Sequence, residues 1–205
     1  KGAPTYVDGH VRMGLAAQLK TIDQGFARIA SFPELKAKPL VIGESEPDGC
    51  AARQGPQLGY RNGTMYSSYT AAAFARKHVL AEKHGVNLVG ALTWAFEFED
   101  QKYFAGFRAL ATNGIDLPVL DVFRMMAQLE GQRGPAVSSG DAGLEGIMRD
   151  GVRGAPDVAA LASLAPGKVG VMVWHYHDDD VAGPDAEVQL SVQGLPLAAS
   201  DVRVT

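Results

Sequence analysis

The sequence predicts an α/β fold that gives way to a mostly β segment, and three observations carry that reading. Leu40, Val41 and Ile42 form an apolar run with no polar alternation, as a parallel strand buried on both faces does. A second strand-like run, 86–94, lies one helix later. Beyond Gly131, short alternating runs divided by turns replace the helices.

Taken in order, Asp8 is expected to cap a helix whose apolar positions Val11, Leu15, Leu19, Ile22, Phe26 and Ile29 recur every three or four residues. His10 reads as a capping or surface histidine, and Ser31, Phe32 and Pro33 end the helix. The strand at 40–42 stops at Gly43, after which Glu44 and Glu46 precede Pro47 and Gly49. Residues 48–64 form a loop longer than a connection needs, which suggests a function for it. Alanine-rich residues 65–84 predict a long helix that Gly85 terminates from the C′ position. After the 86–94 strand, Pro118 opens a helix to about 129 with Leu120, Phe123, Met126 and Leu129 on one face. Two strands alone would leave unpaired edges, so further strands are expected from residues preceding Lys1.

Residues 131–154, rich in glycine, proline and serine, read as a boundary with a short helical turn at 144–148. Strands are expected at 158–164, 169–177, 187–193 and 201–205, with the alternation of a β-sandwich. The predicted division is therefore 1–131 and 132–205.

Composition narrows the chemistry. The 205 residues are 46% apolar and 20% charged, with a net charge of -4 and no block of like charge, which argues against nucleic acid or an anionic membrane as partner. No apolar run approaches the roughly 18 residues of a membrane-spanning helix. Both ends read as cut, so the compartment stays open, with the cytoplasm favoured, and a homo-oligomer is possible. The one cysteine, Cys50, excludes an internal disulfide and reads as a small buried apolar residue more than as a nucleophile.

The carboxyl end of a parallel strand is where α/β folds keep their chemistry. The first strand ends in Glu44 and Glu46; the second ends in Trp94, Phe96, Glu97, Phe98, Glu99 and Asp100. Carboxylates beside aromatic rings suit the cleavage of a sugar acetal: one carboxylate captures the oxocarbenium-like centre, others hold hydroxyls, and rings stack on the sugar.

Residues 42–50 (Ile-Gly-Glu-Ser-Glu-Pro-Asp-Gly-Cys), 60–66 and 90–100 resemble the last two βα units of a family 39 glycoside hydrolase, a (β/α)8 TIM barrel, and Val171-Met-Val-Trp-His-Tyr-His177 resembles the β-sandwich that follows it. The resemblance implies a retaining β-xylosidase acting on a small xyloside or xylo-oligosaccharide, with no cofactor. It makes Glu44 the nucleophile and assigns sugar contacts to Trp94, Phe96, Glu97, Glu99 and Asp100. The pair here is Glu99-Asp100 where the family has Glu-Glu, and no Asn-Glu-Pro acid/base segment occurs. The resemblance therefore puts the acid/base glutamate outside this chain, and a fragment of this kind would be inactive alone.

Glu44 and Glu46 share strand parity, so both are expected to point inward, with Glu46 a further substrate contact. Arg61 and Tyr66 read as solvated loop residues. Two other classes compete. His175, His177 and Asp179 form a His-x-His-x-Asp spacing that a metal-dependent hydrolase would use. Trp174 and Tyr176 would serve a non-catalytic carbohydrate-binding β-sandwich.

Overall fold

The computed structural model describes residues 1–195. Its first element is a hairpin, β1 (Thr5–Val7) and β2 (His10–Arg12), paired antiparallel. This corrects the expected Asp8-capped helix. Asp8 and Gly9 both take positive φ, 50° and 86°, the geometry of a two-residue hairpin turn, so Val11 sits on a strand. The helix α1 (Leu15–Ala30) starts only after Gly14, and it buries Leu15, Gln18, Leu19 and Phe26. A single turn, α2 (Pro33–Lys36), leads into β3 (Leu40–Ile42).

The long loop holds a 3-10 helix, Pro56–Asn62, and runs directly into α3 (Thr64–His84). Gly85 adopts the left-handed conformation (φ 62°) and Val86 N–H donates to the Ala81 carbonyl, a C-terminal cap that only a residue without Cβ accepts cheaply. The strand expected at 86–94 is regular only over β4 (Leu88–Ala91), which pairs parallel with β3. Beyond it, β5 (Ala111–Thr112) and β6 (Ile115–Asp116) form a small hairpin, followed by α4 (Pro118–Ala127), which buries Val119 and Val122.

The predicted boundary region is partly structured. β7 (Gln132–Gly134) joins the edge of a three-stranded antiparallel sheet with β8 (Asp157–Ala165) and β9 (Lys168–Tyr176), and α5 (Leu144–Asp150) precedes β8. Met172, Trp174 and Tyr176 share the buried face of β9 because they alternate along the strand. One buried cluster runs from Leu15, Leu19 and Phe26 through the alanines of α3 to Ile147, Ala159, Met172 and Trp174.

A polar bolt fixes this junction. Arg76 of α3 donates to Asp157 (2.9 and 3.1 Å) and to Asp141 (2.7 and 3.2 Å), while Trp174 Nε1 donates to Asp157 at 2.8 Å. The strand expected at 187–193 is not formed: these residues are exposed and irregular. The strand expected at 201–205 lies outside the described residues. Among the described residues there is no closed barrel, β3 and β4 form a two-stranded sheet, and no helix is long and apolar enough to cross a membrane.

Candidate active site

The β3 and β4 ladder continues past the regular strands. Leu92 N–H donates to the Ile42 carbonyl and Ser45 N–H to the Leu92 carbonyl, both at 2.9 Å. Parallel pairing thus sets the segment carrying Glu44 beside the one carrying Trp94, at the carboxyl ends of adjacent strands.

Glu44 and Glu46 do not share an environment, which corrects the expectation that parity turns both inward. Regular strand geometry stops at Ile42, so alternation no longer governs the two side chains. The Glu44 side chain is 52% exposed and pairs with the Lys1 ammonium, which holds its carboxyl below the usual range. The Glu46 side chain is 0% exposed; its Oε2 lies 3.9 Å from both Lys1 Nζ and Arg108 Nη2. Neither Glu46 oxygen accepts a hydrogen bond, and burial raises its pKa against the opposing pull of Arg108. Its backbone carbonyl accepts from Gln18 Nε2 at 2.9 Å, and Tyr69 donates to Gln18 Oε1 at 3.0 Å, so α1 and α3 anchor the strand end from below.

Lys77 enters the same polar core from α3. It is fully buried, with Nζ 3.5 Å from the Ser45 carbonyl and 3.8 Å from the Phe74 ring centroid. Burial brings its ammonium down to about 7, with Glu46 acting in the other direction. Tyr66 is buried too, 3.4 Å from the Thr93 hydroxyl, and burial pushes its phenol up to about 12.

Sequence reasoning missed the network that shapes this end of the sheet. Asp48 is buried and accepts from Cys50 N–H (2.6 Å), Arg61 Nη2 (2.9 Å), Arg108 Nη1 (3.1 Å) and the Tyr60 hydroxyl. Burial would raise the Asp48 pKa, but Tyr60, the Cys50 amide and Arg61 outweigh it and hold the carboxyl low. Arg61, expected in solvent, is among the most buried side chains, and it also donates to the carbonyls of Cys50, Arg53 and Gly106 at 2.9, 2.7 and 2.9 Å. The only signal in the sequence was the excess length of the 48–64 loop, which needs something to hold it.

The aromatic segment after β4 forms an excursion with a closed base. Ala95 N–H donates to the Arg108 carbonyl (3.3 Å), and Leu110 and Ala111 N–H donate to the Phe96 carbonyl (2.8 and 3.0 Å). Trp94 and Phe96 are 51% and 59% exposed at this base, and the Trp94 carbonyl accepts from Arg108 Nε at 3.0 Å. Glu97 accepts from Gly114 N–H at 2.8 Å, which ties it to the β5–β6 turn. Glu99 and Asp100 lie exposed farther along the excursion. Among the described residues no hydrogen bond or ion pair joins Glu97, Glu99 or Asp100 to Glu44.

The two competing constellations are occupied otherwise. Asp179 binds Arg12 through both carboxylate oxygens, which holds its pKa down, and its N–H donates to His177 Nδ1 at 3.0 Å. Among the described residues no three His, Cys, Asp or Glu side chains come together in a way that could hold a metal ion. Trp174 and Tyr176 are 5% and 0% exposed, so neither ring faces a ligand.

Comparisons with protein-family models, with curated proteins and with solved structures give no match to this chain.

Proposed function

We propose that this chain supplies the nucleophile side of a retaining glycoside hydrolase that releases xylose from β-xylosides or xylo-oligosaccharides, and that it forms two adjacent βα units of a (β/α)8 barrel followed by β structure. The observation that carries this reading is the parallel pairing of β3 with β4, which sets Glu44 and Trp94 at the carboxyl ends of neighbouring strands.

In this reading Glu44 attacks the anomeric carbon as a carboxylate. The bond to the leaving oxygen breaks while an acid/base carboxyl outside this chain protonates that oxygen, giving a glycosyl ester on Glu44. The same group then deprotonates a water, which displaces Glu44 and releases the sugar with retained configuration. An exposed carboxylate held ionised by Lys1 is suited to the nucleophile role, whereas a buried carboxyl with a raised pKa is not. Trp94 and Phe96 offer ring faces to the sugar, and Glu97, Glu99 and Asp100 offer acceptors for its hydroxyls.

The test uses the full natural chain with an activated 2-deoxy-2-fluoro-xyloside, followed by peptide mass mapping. A sugar adduct on Glu44 supports the proposal. An adduct on Glu46 keeps the reaction class and moves the nucleophile. No adduct together with no turnover of an aryl xyloside ends the reading.

A further inference from the structure

Two buried carboxylates stand two residues apart in very different surroundings. Asp48 accepts hydrogen bonds from Cys50, Tyr60, Arg61 and Arg108, whereas Glu46, whose side chain is fully buried, accepts none on either oxygen. A carboxylate withdrawn from water without partners is costly, so a side chain kept in that state needs a reason. Lys1 Nζ and Arg108 Nη2 both stand 3.9 Å from its Oε2, about 1 Å beyond hydrogen-bond reach. Arg108 is fixed there, because Nε donates to the Trp94 carbonyl and Nη1 to Asp48. The Lys1 ammonium ends a flexible side chain, 35% exposed, and its hydrogen-bond partner is Glu44.

The backbone beside Lys1 is held firmly. Gly2 is buried, its N–H donates to the Pro47 carbonyl at 2.7 Å, and a Cβ there would lie 3.0 Å from that carbonyl oxygen and closer still to the Tyr69 hydroxyl. A Cβ at Gly49 would come 3.2 Å from Lys1 Cδ, so the lysine stem crosses the backbone that follows Glu46. Packing therefore sets the ammonium between the two glutamates, bonded to Glu44 and one short step from Glu46.

In the hydrolase reading Glu44 alternates between carboxylate and neutral ester. When the ester forms, Lys1 loses the charge it pairs with, and Glu46 is the anion left beside it, with both oxygens open to the ammonium. When water attacks the anomeric carbon, the bond from that carbon to Glu44 breaks and its electron pair returns to the carboxylate, which an ammonium kept at hand stabilises.

We propose that Glu46 is a positioning residue that holds Lys1 in place while Glu44 is esterified, so that the ammonium is present to stabilise the departing carboxylate; this rests on the chain being part of a retaining glycoside hydrolase with Glu44 as nucleophile. Burial raises the Glu46 carboxyl, and Arg108 and Lys1 pull it back towards the anion this role needs.

The experiment follows the two half-reactions separately in the full natural chain, Glu46→Gln, Lys1→Met and the double variant, with thermal midpoints confirming that each folds. The rate of trapping by the activated 2-deoxy-2-fluoro-xyloside reads ester formation, and the return of aryl xyloside turnover after the reagent is removed reads ester hydrolysis. Glu46→Gln is expected to slow reactivation about tenfold and trapping by less than about twofold. Lys1→Met is expected to slow reactivation at least as much, and adding Glu46→Gln to it changes reactivation no further, because Glu46 acts through Lys1. A merely structural role would slow both half-reactions or add in the double variant, and either result overturns the proposal while the hydrolase stands. Unslowed reactivation in Glu46→Gln overturns it too, as does unslowed reactivation in Lys1→Met whether or not Glu46→Gln folds. A wild-type protein that forms no adduct removes the hydrolase and the positioning role together.

Discussion

Arg108 and Asp48 form a buried ion pair at 3.1 Å, in which Arg108 also donates to the Asp48 carbonyl and to the Trp94 carbonyl. One guanidinium thus joins the loop after β3 to the base of the excursion after β4. Asp48 carries a second arginine, Arg61, on the same carboxylate. Asp48→Ala would strand two buried cations, so it is expected to cost about 3–5 kcal/mol of stability, measured by urea denaturation. Asp48→Asn keeps the shape and the acceptor oxygen and is expected to cost less than the alanine.

Lys77 sets a pH dependence of known sign. Its folded-state pKa is lowered to about 7, whereas the unfolded lysine keeps its usual 10.5. Between those values the unfolded chain binds more protons, so stability rises with pH; as pH falls through 7 the full burial cost is present. Wild type is expected to gain about 3 kcal/mol relative to Lys77→Met between pH 7 and 10, read from denaturation midpoints across that range. Parallel profiles for the two proteins would show that burial does not lower the Lys77 pKa.

Glu44→Gln and Glu46→Gln separate the two carboxylates by activity. Glu44→Gln is expected to lower kcat for an aryl xyloside by roughly 10³-fold or more, with the fold intact, since the side chain lies in solvent. Glu46→Gln is expected to keep the fluoro-sugar adduct on Glu44. Loss of adduct formation in Glu46→Gln with full retention in Glu44→Gln would reverse the assignment.

Two glycines of the first helical region should respond in opposite ways. A Cβ at Gly14 would overlap the Gly2 backbone, which no side-chain rotation relieves. Gly14→Ala is therefore expected to cost about 1–3 kcal/mol. Gly25 lies within α1 with open space around it, so Gly25→Ala is expected to stabilise by about 0.5–1 kcal/mol. Thermal midpoints of the two variants check both statements.

Local chemistry made the helices legible. The periodicity of Leu15, Leu19 and Phe26, the alanines of α3 and the glycine after His84 act within one or two turns. Asp8 can either cap a helix or open an Asp-Gly turn, and before α1 it opens the turn of a hairpin. What the hairpin meets lies far along the chain: Arg12 pairs with Asp179, and Met13 N–H donates to the Asp178 carbonyl at 2.7 Å. Residues 187–193 show the reverse case, where Val188, Leu190 and Val192 alternate as a strand would, yet stay exposed without a paired edge.

The sequence by itself determined where the first parallel strand ends, because an apolar run stopped by glycine and proline is a property of a few neighbours; the second, expected over 86–94, is regular only over Leu88–Ala91. It named Glu44, Glu46 and Trp94 without ranking their surroundings. Only the tertiary structure decided that Glu44 stands in water beside Lys1 while Glu46 is buried between two cations, and that Arg61 and Arg108 close on Asp48. Burial and charge pairing depend on which segments meet in space, and the contact between Arg108 and Asp48 spans sixty residues of chain.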